Sequence, residues 1–205
     1  MNDTMHKTQQ IISAILHPLT LPFIGTVLLL ELGVFGELPT AYRLYVDAIV
    51  LVNMCLLPGV GIWLLLKTGL VSDLDVSKRS ERVWPYFIVL LTGITACVML
   101  YRAHFPWWAV KFYIGSIFGT FLAFFITLKW KISAHTLAFG CLVGAAIIVS
   151  LKLSLSSVLV LCVMFLLAGI QASSRLYLKA HTLGQVSGGF LLGVLSVMLT
   201  FFLIP

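Results

Sequence analysis

The chain has 205 residues, 60% hydrophobic and 10% charged, with a formal net charge of +6 and a mean hydropathy of +1.10. A soluble domain carries about 25% charged residues, so this composition excludes a water-soluble globule and makes the bilayer the solvent for most of the chain. The expected class is all-α: a polytopic membrane protein of six or seven transmembrane helices, with one domain over the whole chain, since each crossing takes about 20 residues.

In chain order, apolar segments predict spans at about 11–35, 42–66, 85–101, 108–128, 133–151, 155–172 and 184–204. The first follows the polar stretch MNDTMHKTQQ. No small-residue cleavage site follows a short apolar run, so no removable signal peptide is expected. His17-Pro18 and Pro22 lie inside this first segment and predict a kink or a surface helix. If it does not cross fully, the count is six. His17 itself reads as a helix-packing residue. Pro58-Gly59 should bend the second span. Cys55, Cys97, Cys141 and Cys162 all lie in apolar segments without metal-type spacing and read as buried small hydrophobes. His6 and His104 read as interfacial. Gly188, Gly189 and Gly193 form a small-residue stripe suited to close helix packing.

Three connecting loops are polar: Ser72–Arg82, Lys129–His135 and Ser173–Gln185. The first follows the second span, and two helical hairpins then return the chain to the level of the second and third loops. Parity therefore puts all three on one membrane face, whether or not the first segment crosses. That face collects Lys78, Arg79, Arg82 and Arg175, the histidines His135 and His181, and Ser133. Such cations in short loops serve as topology signals or as ligands for an anion at the membrane surface, and a nucleic-acid partner is not expected. Guanidinium groups bind phosphate oxygens in bidentate fashion. Ser133 and the backbone amides at a helix start add donors. Histidine is the side chain best suited to attack phosphorus or to move a proton at neutral pH. This chemistry needs no metal and no cofactor. The nearby Asp73, Asp75 and Glu81 are too few and too mixed with cations to suggest a Mg²⁺ cage.

Ser174-Arg175, five residues and His181 resemble the third signature of the type 2 phosphatidic acid phosphatase superfamily. Ile132-Ser133-Ala134-His135 is similar to its second, Pro-Ser-Gly-His, and Lys78–Pro85 resembles its first. The resemblance covers about residues 72–190. It implies a membrane lipid phosphatase with His181 as the nucleophile that forms a phosphohistidine and His135 as the acid that protonates the leaving lipid alkoxide. Arg175, Ser133 and the Lys78, Arg79, Arg82 group would hold the phosphate. The implied partner is a phosphorylated lipid, phosphatidyl or polyprenyl, in a bacterial inner membrane or its equivalent.

The chain departs from the family at three places. Lys78 and Arg82 are four apart with Pro85 three residues later, Ile132 and Ala134 replace proline and glycine, and Gln185 stands where the family has the aspartate that orients the nucleophile. Gln185, one helical turn after His181, is expected to accept from its Nδ1 and leave Nε2 to react. Asp73 or Asp75 reaching in from the first loop is the alternative. These departures sustain a second reading, a catalytically weakened or inactive relative that binds or transports an anionic lipid. One pocket should hold His135, His181, Arg175 and at least two of Lys78, Arg79 and Arg82.

Overall fold

The computed structural model describes residues 3–31, 35, 37–152 and 156–205, without the side chains of 152, 156 and 157. The end of the first predicted span, the start of the loop after it and most of the turn predicted near 152–154 lie outside the described residues. Among the described residues eight helices make up the fold: α1 (Asp3–Ile15), α2 (Leu21–Glu31), α3 (Thr40–Lys67), α4 (Val83–Arg102), α5 (Trp107–Thr127), α6 (Ala134–Lys152), α7 (Ser156–Tyr177) and α8 (Leu183–Leu203). No strand occurs among the described residues. Six of the helices, α3 to α8, are long and apolar enough to cross a membrane. Their outward faces carry large apolar side chains such as Phe87, Leu91, Phe121, Leu159 and Leu199, as a protein whose solvent is hydrocarbon requires. This is a multi-pass membrane protein.

The first predicted span is two helices. Pro18 has no N–H to continue α1 and pushes His17 out of the helical region. The backbone turns instead, with the Thr20 amide and hydroxyl both donating to the His17 carbonyl, at 3.0 and 2.8 Å. With 11 residues, α2 is about 16 Å long and shorter than the hydrocarbon core. It nevertheless connects the two ends of the molecule. His17 lies beside His135, Thr26 bonds Tyr113 within the bundle (2.7 Å), and Phe35 stacks on Trp108 at the far end.

In the second span Pro58 does not break the helix. A π-helical turn, Leu51–Leu56, precedes it, and the Leu57 amide reaches back five residues to the Val52 carbonyl. The wider turn absorbs the mismatch that proline introduces. Of the cysteines, Cys141 is buried, Cys55 and Cys97 are half-buried, and Cys162 is exposed. The expectation of four buried thiols therefore fails at Cys162. Its outward position on α7 faces hydrocarbon, which a small apolar side chain tolerates equally well.

The ends of the bundle are tied separately. At the far end Tyr42 donates to the Ala103 carbonyl (3.0 Å), Trp107 to Pro205 (2.7 Å) and Lys111 to Ile204 (2.6 Å). At the other end all three polar loops meet. Between them α6 and α8 pack backbone to backbone. A Cβ on Gly140 would run into the Phe190 carbonyl, one on Gly193 into the Leu137 carbonyl, and one on Gly189 into the Ser133 carbonyl. Gly189 and Gly193 of the α8 stripe are thus a contact surface for α6, with Gly140 as their complement, while Gly188 lies against the Trp130 ring of the second loop.

Gly193→Ala should consequently destabilise the protein by about 1–3 kcal/mol, the range for overpacking. Gly59→Ala, which has open space around its Cβ position, should be neutral or slightly stabilising. Thermal unfolding of both variants in the same detergent checks the contrast; equal melting temperatures would mean that α6 and α8 can separate at no cost.

Candidate active site

In the first loop the Glu81 carboxylate accepts from the Ser72 amide and hydroxyl, both at 2.7 Å. Asp73 caps Ser77 through its amide and hydroxyl, each at 3.1 Å. Val76 takes a left-handed conformation (φ 49°), unusual and costly for a β-branched residue. Its side chain is buried against Ile62 and Val71, and its carbonyl is turned onto Arg82. Arg82 donates through Nε to Val76 O (3.0 Å) and through Nη1 to Ile132 O (2.8 Å), which ties the first loop to the second.

Only Arg82 of the three expected cations enters the cluster. Lys78 pairs with Glu81 (3.2 Å) and its side chain is 66% exposed. Arg79 donates to the carbonyls of Thr127 and Leu128 at the end of α5. The expectation of at least two converging cations fails because a short 3₁₀ turn, Arg79–Arg82, sends successive side chains in different directions.

The second and third loops meet at the starts of α6 and α8. Ser133 is buried and caps α6, its hydroxyl accepting from the Thr136 amide (3.4 Å). Its own amide donates to the Gln185 carbonyl (3.2 Å), and Thr136 Oγ1 donates to the Val186 carbonyl (2.8 Å). The two helix starts are therefore stitched side by side, which sets His135 and His181 on the same end of the bundle. Lys179, in the left-handed region (φ 53°), ends α7, with the Ala180 amide closing onto the Arg175 carbonyl.

Gln185 has two jobs. Thr182 and Gln185 form a capping box at the start of α8. The same Gln185 Oε1 that accepts from the Thr182 amide (3.2 Å) lies 3.1 Å from His181 Nδ1. The Lys131 carbonyl lies 3.2 Å from that Nδ1. Both neighbours are acceptors, so Nδ1 carries the proton and the Nε2 lone pair is free. Asp73 and Asp75 are engaged elsewhere, Asp73 on Ser77 and Asp75 on Arg175.

Arg175 is anchored from the N-terminal segment. Its Nη1 donates to Ser13 Oγ (2.7 Å) and to Asp75 Oδ2 (3.1 Å). Ser174 donates to the Gln9 carbonyl (2.8 Å), so α1 lies against the end of α7. Arg175, His135, Arg82 and His181 are 2, 5, 6 and 7% exposed. His135 Nε2, His181 Nε2 and Arg175 Nε are buried and have no partner among the described residues. Desolvating a polar atom without a hydrogen bond costs about 1–3 kcal/mol, and three such atoms lie in this cluster.

A cavity of about 350 Å³ adjoins the cluster. His17, Asp75, Arg82 and His135 line its polar part, and Met54, Ile62, Val89, Leu142 and Val149 are among the apolar residues around the rest. The expectation that one pocket holds His135, His181 and Arg175 is met by His135 alone: His181 and Arg175 lie behind the wall, because Nδ1 of His181 is turned onto Gln185 and Lys131 and Arg175 meets the wall through Asp75. The titratable groups that act on His135 are Arg175, His17, His181 and Arg82. Burial, and then the Arg82 charge, push His181 down to about 4. Burial lowers His17 against the opposing pull of Asp75. Burial and the guanidinium groups of Arg82 and Arg175 lower Lys131, whose Nζ donates to the Ala180 carbonyl (3.1 Å).

The structure thus gathers His135, His181, Gln185, Ser133, Arg82 and Arg175, and leaves Lys78 and Arg79 outside. Sequence reasoning missed the placement of Ser13, Lys131 and His17 at this cluster. His17-Pro18 was the available signal for the last, because a helix break beside a histidine inside an apolar segment is an unusual placement. No family model matches this chain, and neither a curated protein nor a solved structure does.

The His181 environment is directly measurable. Below pH of about 4 the ring should be protonated and the Nε2 lone pair lost; above it the ring should be neutral. A histidine-labelled NMR titration should show this midpoint well below 6.5. Gln185→Asp, which puts a negative charge beside Nδ1, should move it upward. A midpoint near 6.5, or one that the substitution leaves in place, would contradict the arrangement.

Proposed function

We propose that the protein is a membrane-embedded lipid phosphatase that works through a phosphohistidine, in a bacterial inner membrane or its equivalent. The observation that carries this reading is the trio of buried, unpartnered atoms, two imidazole Nε2 and one guanidinium Nε, gathered on one face of a helical bundle. The similarity of the three loop motifs to the type 2 phosphatidic acid phosphatases agrees with it. The cavity supports the substrate class. A head with two negative charges suits Arg82 on its wall, with Arg175 reached through Asp75, and an alkyl or prenyl tail suits the apolar residues around the rest.

In this mechanism the substrate phosphate displaces part of the hold of Asp75 on Arg175 and is gripped by Arg175 and Arg82. His181 Nε2 attacks phosphorus, and the bond to the lipid oxygen breaks. The leaving alkoxide takes a proton from His135. An arriving phosphate dianion favours the protonated form of that ring, so the acid is formed by the substrate it serves. Water, deprotonated by His135, then attacks the phosphohistidine and releases inorganic phosphate and neutral His181. Gln185 and the Lys131 carbonyl hold Nδ1–H throughout. Because both are uncharged, they orient the ring but stabilise its developing positive charge less than a carboxylate would.

Purified full-length protein should release phosphate from at least one of phosphatidic acid, a polyprenyl phosphate or a polyprenyl diphosphate. His181→Ala should lower turnover by about 10³-fold or more while lipid binding persists. Tight lipid binding by the wild type without any phosphate release would instead favour a binding or transport protein.

The two kinds of cation should separate in the same assay. Arg82→Ala, which removes a buried guanidinium that joins two loops, should cost about 100-fold or more in kcat/KM. Lys78→Ala should change kcat/KM less than about threefold, since an exposed ion pair contributes little. Equal losses would restore Lys78 to the site.

A further inference from the structure

His17 is absent from the chemistry above, yet it stands at the cavity's polar end. Its ring meets that of His135 edge to face, with centroids 5.4 Å apart and planes at 79°. It lines the same wall as Asp75 and Arg82. A helix-packing role would be met by any ring of this size. Two features set this one apart.

The first is its tautomer. His17 Nδ1 accepts from the Leu19 amide at 3.3 Å. A nitrogen that accepts a backbone N–H carries no proton of its own, so the neutral ring holds its hydrogen on Nε2. The break at Pro18 creates this arrangement, because the turn after His17 is what brings the Leu19 amide back onto the ring. The second feature is that the segment is clamped at the site. Ser13 binds Arg175 and Gln9 binds Ser174, so the turn that carries His17, four residues after Ser13, follows directly on a helix end tied to the site.

We propose that His17 is a third phosphate-binding residue of this site, its Nε2–H donating to a phosphate oxygen on the His135 side. This rests on the phosphatase reading for the nature of the anion. Arg82 and Arg175 supply charge, and His17 supplies a neutral donor whose direction the Leu19 amide fixes. The inference also gives the N-terminal segment a place in the active site, well outside the region that carries the three loop motifs.

Three substitutions separate this role from a structural one. His17→Gln places an amide N–H near the Nε2 position. His17→Asn keeps an acceptor near the Nδ1 position, able to take the Leu19 amide, and loses the donor. His17→Phe keeps only the ring. Inorganic phosphate is titrated calorimetrically into the full-length protein in detergent, alongside turnover of a lipid phosphate. Phosphate affinity should fall about tenfold or more for the Asn and Phe variants and stay within about threefold for Gln, as loss of one hydrogen bond to a charged ligand predicts. Rescue by Asn and not by Gln would show that His17 only caps its turn and would overturn the proposal. So would equal losses in all three, unchanged affinity in the Phe variant, or no phosphate binding by the wild type. If the Phe variant does not fold, the Asn and Gln pair decides. The expected order of affinities without lipid phosphate turnover would keep His17 as an anion ligand and remove the phosphatase reading. Turnover that no His17 substitution alters, with phosphate affinity likewise unaltered, would do the reverse.

Discussion

The close approach of α6 and α8 is the contact on which the site depends. Glycines at 140, 189 and 193 allow the two backbones to touch, and hydrogen bonds from Ser133 and Thr136 to the carbonyls of Gln185 and Val186 hold the helix starts level. In hydrocarbon no hydrophobic force drives helices together, so close van der Waals packing and interhelical hydrogen bonds must do so. Because His135 is the second residue of α6 and His181 immediately precedes the capped start of α8, this register brings the two imidazoles to one end of the bundle. A shift of one helical turn would move one of them about 5 Å away and leave two unrelated interfacial histidines.

Around that pair the protein buries two guanidinium groups, which is costly unless each is paired and hydrogen-bonded. The two are handled differently. Arg175 has a carboxylate partner, Asp75, which is itself half-exposed. Arg82 is held by the carbonyls of Val76 and Ile132, which supply partial negative charge without a competing anion. The left-handed backbone at Val76 turns one of those carbonyls inward, a local strain offset by the burial of its side chain. The result is a cluster with two guanidinium groups beside a His181 ring that burial holds neutral.

The N-terminal segment closes the arrangement. Helix α1 docks on α7 beside Arg175, the chain breaks at His17-Pro18, and α2 runs inward against α6, where Gly25 meets Leu142. Part of the cavity wall therefore comes from residues far from the loop motifs in sequence. The apolar residues around the cavity come from several helices, including α2, α3, α5 and α6, so its shape belongs to the whole bundle.

Hydropathy alone determined the all-α membrane class and the approximate position of each apolar segment, because the cost of placing polar backbone and side chains in hydrocarbon is local and adds up along the chain; it left the count at six or seven, and the split of the first segment into α1 and α2 settles it at six long helices among the described residues. Parity determined that the three polar loops share a face, since it depends only on counting crossings. The contact of Gln185 with His181 was legible too, although its cause was not: the sequence suggested a helical turn from 181 to 185, whereas α8 starts at Leu183 and the capping box at Thr182 folds Gln185 Oε1 back onto His181. What the sequence left open was decided by tertiary contact. Lys78, Arg79 and Arg82 are equivalent as letters, and only the 3₁₀ turn and the carbonyls offered by Val76 and Ile132 select Arg82. Asp75 became the partner of Arg175 and not of His181 because of where the first loop comes to rest. His17 reads as a packing residue in an apolar segment until the Pro18 break and the docking of α1 set its ring against His135. Side-chain direction in irregular loops, and the meeting of segments more than 100 residues apart, are non-local properties that no periodicity encodes.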